Sequence, residues 1–195
     1  MRKNSRQSKH RKARVAKKTY SIIVDGQTEM WYFQMMKQYE QLATVDIKPE
    51  LPKKKKLVEL FETVKANSSL GYEKVIWLVD FDTLTKEEKE RKKGSPSVIK
   101  EFEGYVEKLK NYANVLVLVN NPCLEFWYLL HFESTGKYYP QCEGAEKALK
   151  KSLPNYEKTE RYYKKIKHDI YTQLKANQEQ AQKNGKRLGN FDFST

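Results

Sequence analysis

Three short apolar segments, each followed at once by polar residues, constrain the fold of this chain more than any other feature. They span 20–24, 74–79 and 115–119. The second and third are apolar on both faces, which is typical of strands buried in a parallel sheet, and we expect all three to be central strands of one sheet. Apolar residues at helical spacing separate them. This alternation predicts an α/β fold with a mainly parallel sheet flanked by helices on both faces.

The patterns of the remaining sequence divide the whole chain into three regions. We expect a further strand at 44–51, helices at 28–42, 53–66, 97–112 and 124–132, and a charged loop or exposed turn of helix at 83–95. After about Gly136 the pattern is purely helical. There Tyr163, Ile166, Ile170 and Leu174 form one apolar stripe, and the polar segment 178–195 is expected to fray. The predicted regions are a basic, disordered arm (1–18), an α/β core (19–135) and a helical extension (136–195) that packs on the core or a partner.

Positive charge is concentrated in the arm. The chain has 38 Lys+Arg against 25 Asp+Glu, a net charge of +13, which suits a nucleic-acid partner. Nine basic residues lie in the arm, namely Arg2, Lys3, Arg6, Lys9, Arg11, Lys12, Arg14, Lys17 and Lys18. The arm has no acidic residue and almost no apolar one, so it cannot offset its ordering entropy. It is either a phosphate-binding arm or a solubilising tail.

Several classes of protein are disfavoured. The longest apolar runs hold five residues, whereas a membrane-spanning helix needs about 20, and the basic start has no apolar region typical of a signal peptide. Cys123 and Cys142 form no CxxC pair. We therefore expect a cytoplasmic protein with neither a disulfide framework nor a cysteine zinc site. No GxxxxGK[ST] loop is present, so any nucleotide hydrolysis would come from a partner.

Carboxylates follow two of the predicted strands and recur after a third. The three segments are Asp25-Gly26-Gln27-Thr28-Glu29, then Asp80-Phe81-Asp82, then Asn120-Asn121-Pro122 with Glu125 about one turn later. Sites in parallel sheets form at the carboxyl ends of strands, and clustered carboxylates repel unless a cation lies among them. Oxygen ligands favour Mg²⁺ or Mn²⁺ over zinc. The alternative is ordinary turn chemistry, since Asp often ends a strand.

The same motifs closely resemble the RloB-like family. The resemblance rests on 22–29, 77–82 and 121–132, in that order, and covers roughly 19–132. It implies a Toprim-like fold, a catalytic set of Asp25, Glu29, Asp80 and Asp82, and Mg²⁺ (or Mn²⁺) held by Asp80, Asp82 and Asp25. It also implies an ATPase partner and a role in bacterial anti-phage defence. The family's first motif usually has Glu where this chain has Asp25, which is shorter by one methylene, so activity is expected to be altered or lost.

The third motif is mostly core. Its polar exceptions are Asn121, Glu125 and His131, candidates for a supporting shell around the site. His131 is most simply a structural histidine, and Glu125 fits a metal ligand, a helix-dipole acid or a salt-bridge partner.

Three functions remain open from the sequence. The first is a Mg²⁺-dependent Toprim-type nuclease acting on RNA or DNA, the effector of an abortive-infection system. The second is a non-catalytic nucleic-acid-binding or regulatory subunit, and the third is a small-ligand sensor. The sequence does not decide whether the substrate is RNA or DNA, what activates the protein or whether the chain forms homo-oligomers.

Overall fold

A four-stranded parallel sheet forms the centre of the protein. The computed structural model describes residues 17–41, 45–51 and 56–189. The strands are β1 (Lys18–Ile23), β2 (Val45–Glu50), β3 (Lys74–Asp80) and β4 (Val115–Asn120), in the order β2-β1-β3-β4. All three pairings are parallel. The predicted α/β class with a parallel sheet is confirmed.

Helices connect the strands and form the whole of the C-terminal part. They are α1 (Gln27–Glu40), α2 (Leu57–Ser68), α3 (Phe81–Glu90), α4 (Val98–Leu109), α5 (Leu124–Leu129), α6 (Cys142–Leu149), α7 (Glu160–Tyr163), α8 (Ile170–Lys175) and α9 (Gln178–Arg187). Of the two possibilities expected for 83–95, a charged loop or an exposed turn of helix, the helical one is closer: α3 covers Phe81–Glu90, and Leu84 anchors it at only 3% exposure. Within the described ranges, no helix is both long and apolar enough to cross a bilayer.

One face of the sheet packs against α2, α3 and α4. The buried residues there form the apolar core, namely Ile23, Leu57, Leu60, Phe61, Val64, Val75, Trp77, Val79, Leu84, Phe102 and Leu109. Leu57, Leu60, Phe61 and Val64 recur at helical spacing along α2, so one side of that helix is buried on the sheet.

The opposite face is covered unevenly. Ile22, Val24 and Leu78 pack under Met30 and Phe33 of α1. In contrast, Leu116 and Leu118 of β4 are 46% and 42% exposed. The prediction of three central strands is therefore wrong for β4. It is an edge strand, and its second apolar face lies beyond the cover of α1.

The C-terminal helices pack on α1 and α5 through a tyrosine-rich interface. We call Tyr32, Tyr128, Tyr156, Tyr163 and Tyr171 the tyrosine cluster; Leu124, Leu149, Ile170 and Leu174 are buried among them. Through this cluster the C-terminal helices pack on α1 and α5.

The single apolar stripe expected at 163–174 is wrong. Ile166 is 86% exposed, because the segment forms two short helices, each with its own N-cap. Thr159 caps α7 by accepting a hydrogen bond from the Tyr162 amide, and Asp169 caps α8 by accepting one from the Thr172 amide.

The expected fraying of 178–195 is also wrong where the structure describes it. Residues Gln178–Arg187 form α9, in which Ala181 and Asn184 are buried. The Asn184 side chain donates to the Leu130 carbonyl oxygen at 2.8 Å, which ties α9 to the end of α5. Residues 190–195 lie outside the described residues.

Candidate acidic site

Glu29 is held at the carboxyl end of β1 by its immediate neighbours. Asp25 and Gly26 follow the strand, and α1 begins at Gln27. A β-carbon at position 26 would lie 1.9 Å from Glu29 Oε2, so any other residue there would displace that carboxylate. Thr28 Oγ1 lies 3.1 Å from both carboxylate oxygens of Glu29. Glu29 is 3% exposed and is therefore fixed in place beside the sheet.

The neighbouring strand end supplies the two aspartates. Asp80 is the last residue of β3 and pairs in register with Asn120 of β4. Asn120 Nδ2 donates to Asp80 Oδ1 at 2.8 Å, which orients the carboxylate. Asp82 lies in the first turn of α3, and its amide donates to the Pro122 carbonyl oxygen at 3.0 Å.

Asp25, Glu29 and Asp80 converge, and we call these three residues the acidic site. Burial, followed by the charges of Glu29 and Asp25, raises the pKa of Asp80 well above its usual range. Burial and then the charge of Asp25 raise the pKa of Glu29 to about 7. These effects require the three carboxylates to lie near one another. Asp25, Glu29 and Asp80 therefore influence one another at the carboxyl ends of β1 and β3, but their carboxylate oxygens do not all lie within 4.8 Å of one another.

Asp82 faces a second group of residues. Its Oδ2 accepts a hydrogen bond from the Cys142 amide at 3.2 Å. Burial raises the pKa of Asp82, the Cys142 amide and the charge of Lys158 lower it, and the charge of Glu125 raises it further. Asp82 therefore sits between the acidic site and the C-terminal helices, and does not point into the acidic site alone.

Glu125 is a buried salt-bridge partner. It is 1% exposed, accepts a hydrogen bond from Tyr156 Oη at 2.6 Å and lies 3.0 Å from Lys158 Nζ. Of the three roles open from the sequence, the ion pair is the one observed. Its charge also raises the pKa values of Glu29 and Asp80, so it borders the acidic site. Tyr156 and Lys158 carry no motif, so only the fold reveals them.

The two cysteines are joined, which corrects the expectation that they stay apart. Cys123 precedes α5 and Cys142 begins α6; these helices pack together and bring the residues into a disulfide with Cα atoms 5.5 Å apart. Within the described residues, the one trio of potential ligands whose donor atoms all lie within 4.8 Å of one another is Cys123, Glu125 and Cys142. Asp25, Asp80 and Asp82 do not form such a trio.

The other candidate residues lie apart from the acids. His131 is 2% exposed, its Nδ1–H donates to the Trp127 carbonyl oxygen at 2.9 Å, and burial lowers its pKa, as fits a structural histidine. Asn121 lines a separate cavity. Lys18 belongs to β1, not to an arm, and its Nζ lies 3.0 Å from Glu73. Lys17 precedes that strand, and the other arm residues, within 1–16, lie outside the described residues.

Comparison with known families gives one match. A family model described as RloB-like protein matches residues 20–194, which is nearly the whole described chain and includes every residue of the acidic site. No curated protein and no solved structure matches the chain significantly. The chain therefore belongs to the RloB-like family.

Proposed function

We propose that this protein is a divalent-metal-dependent, Toprim-type nuclease that hydrolyses phosphodiester bonds in RNA or DNA. The observation that carries the proposal is the convergence of Asp25, Glu29 and Asp80 at the carboxyl ends of two adjacent parallel strands. The resemblance stated above further favours an effector of bacterial anti-phage defence that works with an ATPase partner.

The acidic site fits Mg²⁺ or Mn²⁺ by its chemistry. Its donors are carboxylate oxygens, which hard divalent cations prefer. Burial and then the charges of the neighbouring carboxylates raise the pKa values of Glu29 and Asp80, and a cation would relieve the repulsive part of this effect. Asp80 and Asp82 would hold the ion, with Asp25 sharing it. Such a cation neutralises the scissile phosphate and lowers the pKa of an attacking water.

The chain's own residues supply positioning. Asn120 fixes the Asp80 carboxylate, and Thr28 together with Gly26 fixes the Glu29 carboxylate. We assign proton transfer to Asp25 or Glu29, the two carboxyls that follow β1. The basic arm would contact the phosphate backbone and set register without reading sequence.

A non-catalytic nucleic-acid-binding subunit is the second candidate. It is favoured by the shorter Asp25 and by the Asp82 carboxylate, which is engaged by the Cys142 amide. Asp25, Asp80 and Asp82 also do not come within 4.8 Å of one another as a trio. An ångström of misplacement is enough to impair catalysis strongly.

Cleavage of labelled RNA and DNA in Mg²⁺, with the ATPase partner added, separates the two candidates. The wild type should cut, Asp80→Asn and Asp25→Ala should not, and the exposed-site control Glu107→Gln should match the wild type. Cleavage by Asp25→Ala equal to that of the wild type contradicts the assignment. If only Asp25→Glu cuts, the chain is a binding subunit with a disabled site.

The arm has its own test. Each phosphate neutralised by Lys or Arg contributes about 0.9 to the salt slope of duplex binding. Deleting 1–16 should therefore weaken binding and flatten its dependence on salt. An unchanged affinity and slope would show that the arm is only a solubilising tail.

A further inference from the structure

A cavity of about 460 Å³ lies beside the carboxyl end of β4. Its volume falls in the range of about 300–1,000 Å³ that is typical of small-ligand sites. Its lining includes four aromatic side chains, Phe126, Trp127, Tyr138 and Tyr139, together with aliphatic residues such as Leu130. This cavity is not part of the acidic site, and none of the three carboxylates lines it.

The cavity and the acidic site nevertheless share a wall. Asn120 lines the cavity and also donates to Asp80 at 2.8 Å. Cys123 lines it too, and its disulfide partner Cys142 donates its amide to Asp82 at 3.2 Å. A ligand in the cavity would therefore sit one residue layer from the carboxylates.

The chemistry of the lining suits a planar, polar-edged ring. Tyr138 is 74% exposed at the mouth of the cavity, so its ring is available for stacking and is not part of the core. Asn121 offers both hydrogen-bond donors and an acceptor. Lys137, which also lines the cavity, brings a cation to its edge, with Nζ 5.2 Å from the Tyr139 ring centroid.

A second cleft, of about 600 Å³, lies on the other side of Asp82. Its lining includes Lys86, Lys89 and Lys158. Lys158 is paired with Glu125, whereas Lys86 and Lys89 lie along α3 and are exposed or nearly so. The lining of this cleft is mixed in charge, because Asp82, Glu90, Glu143 and Glu146 lie among the three lysines.

We propose that the aromatic cavity binds one unstacked nucleobase of a single-stranded nucleic acid, so that the adjoining phosphodiester lies at the acidic site. This inference rests on the proposed nuclease function and narrows its substrate to single strands or to bases displaced from a duplex. Every base has a π-face that stacks on aromatic side chains, whereas a base inside a duplex cannot enter such a cavity.

Binding of an oligonucleotide that contains one 2-aminopurine, as RNA and as DNA, tests the proposal. Fluorescence is measured in EDTA, so that no cleavage is needed. Tyr138→Ala removes the stacking ring; its control is Tyr39→Ala, an exposed tyrosine on α1. Gly185→Leu fills the cavity, because a β-carbon there would lie 3.9 Å from Trp127 and Leu130; its control is Gly104→Leu, a helical glycine with open space around it. Thermal unfolding verifies that each variant is folded.

The expected result is specific to single strands. The wild type should quench the fluorophore and bind the single strand more tightly than the matching duplex. Tyr138→Ala and Gly185→Leu should bind about tenfold more weakly, within the range of one lost base–aromatic stack, and both controls should match the wild type.

Two results would overturn the inference. One is wild-type affinity and quenching in both cavity variants. The other is that Tyr138 is needed for the binding of a fluorescent mononucleotide, which AMP displaces, but not for the binding of the oligonucleotide. That result would make the cavity a nucleotide-sensing site. Base binding is measured in EDTA and cleavage is measured in Mg²⁺, so the two proposals can fail independently. A lack of cleavage would overturn the nuclease proposal but would not change the result of the binding experiment.

Discussion

Two buried regions, the apolar core on one face of the sheet and the tyrosine cluster among α1, α5 and the C-terminal helices, are stabilised by different chemistry. The apolar core under α2 and α4 consists of hydrocarbon and aromatic side chains, and its one indole N–H, on Trp77, has no hydrogen-bond partner within the described residues. The side chains of the tyrosine cluster are just as buried but carry hydroxyl groups. Tyr156 donates to Glu125 and shares a 2.6 Å hydrogen bond with Tyr163, and Tyr171 donates to Glu40.

This difference determines whether each buried region can accommodate a charged side chain. An apolar core stabilises the sheet but cannot accommodate a charge, whereas hydroxyl donors satisfy buried carboxylates. Glu125, which borders the acidic site, is buried only because Tyr156 and Lys158 pair with it. We therefore expect changes in the apolar core to affect stability alone and changes in the tyrosine cluster to affect stability and the site together.

The largest effect is expected in the apolar core. Phe102 is fully buried and packs edge-on against Trp77, with ring centroids 5.3 Å apart. Phe102→Ala should lower the free energy of unfolding by about 3–5 kcal/mol because it leaves a cavity. Urea denaturation measures the loss. Titration with Mn²⁺ under conditions where the variant is folded should give the wild-type affinity. A weaker affinity would show that the apolar core affects the acidic site as well as stability.

The next effect belongs to the tyrosine cluster. Tyr156→Phe removes the hydroxyl that donates to Glu125 and should cost about 1.5–3 kcal/mol, the range for hydrogen bonds to charged groups. Tyr138→Phe, at an exposed tyrosine, is the matched control and should cost almost nothing. Unlike Phe102→Ala, Tyr156→Phe should also change Mn²⁺ affinity. Equal stability of Tyr156→Phe and the control would show that the tyrosine cluster is held by packing alone.

Divalent metal should stabilise the protein through the acidic site. At ten times its dissociation constant, Mg²⁺ or Mn²⁺ adds about 1.4 kcal/mol to the free energy of unfolding by mass action. Asp80→Asn should abolish the metal-induced rise in melting temperature, whereas Glu107→Gln, at an exposed position on α4, should retain it. A rise of the same size in Asp80→Asn would place the metal elsewhere.

The smallest effect concerns pH. Burial lowers the pKa of His131, so the folded protein binds a proton less readily than the unfolded chain. The contribution of His131 to stability is therefore full above the ordinary histidine pKa of about 6.5 and is lost as pH falls through the lower pKa of the folded state. His131→Asn keeps a donor for the Trp127 carbonyl but cannot titrate. Urea midpoints between pH 7.5 and 5 should fall more for the wild type than for this variant, and parallel curves would contradict the prediction.

Sequence patterns predicted what depends on neighbouring residues. The strands, the parallel sheet and the position of the acids after β1 and β3 all follow from short apolar runs that end in polar residues. The edge position of β4 could not be predicted in this way, since an apolar run does not say which helix covers it. The extent of α3 was not predicted, because a helix that is anchored by one buried residue, Leu84, among many charges has no apolar periodicity in its sequence.

The missed parts of the site depend on long-range packing. Cys142 lies 19 residues from its disulfide partner, and Tyr156 and Lys158 lie 31 and 33 positions beyond Glu125. No local pattern links residues so far apart. The helical extension supplies all three. Its break between α7 and α8 was missed because the apolar spacing of Tyr163, Ile166, Ile170 and Leu174 reads as one helix, although Asp169 caps a second one.

The contact between Gly26 and Glu29 has a consequence for mutational tolerance. Every single-base change in a glycine codon that alters the residue introduces a β-carbon or a stop, and at position 26 that carbon would occupy the space of the Glu29 carboxylate. Gly104, with no atom within 4 Å of its would-be β-carbon, is under no such restriction. In a saturation library selected for function, position 26 should therefore be depleted of nearly all substitutions while position 104 accepts most of them, so the acidic site can be detected genetically at a residue that has no side chain.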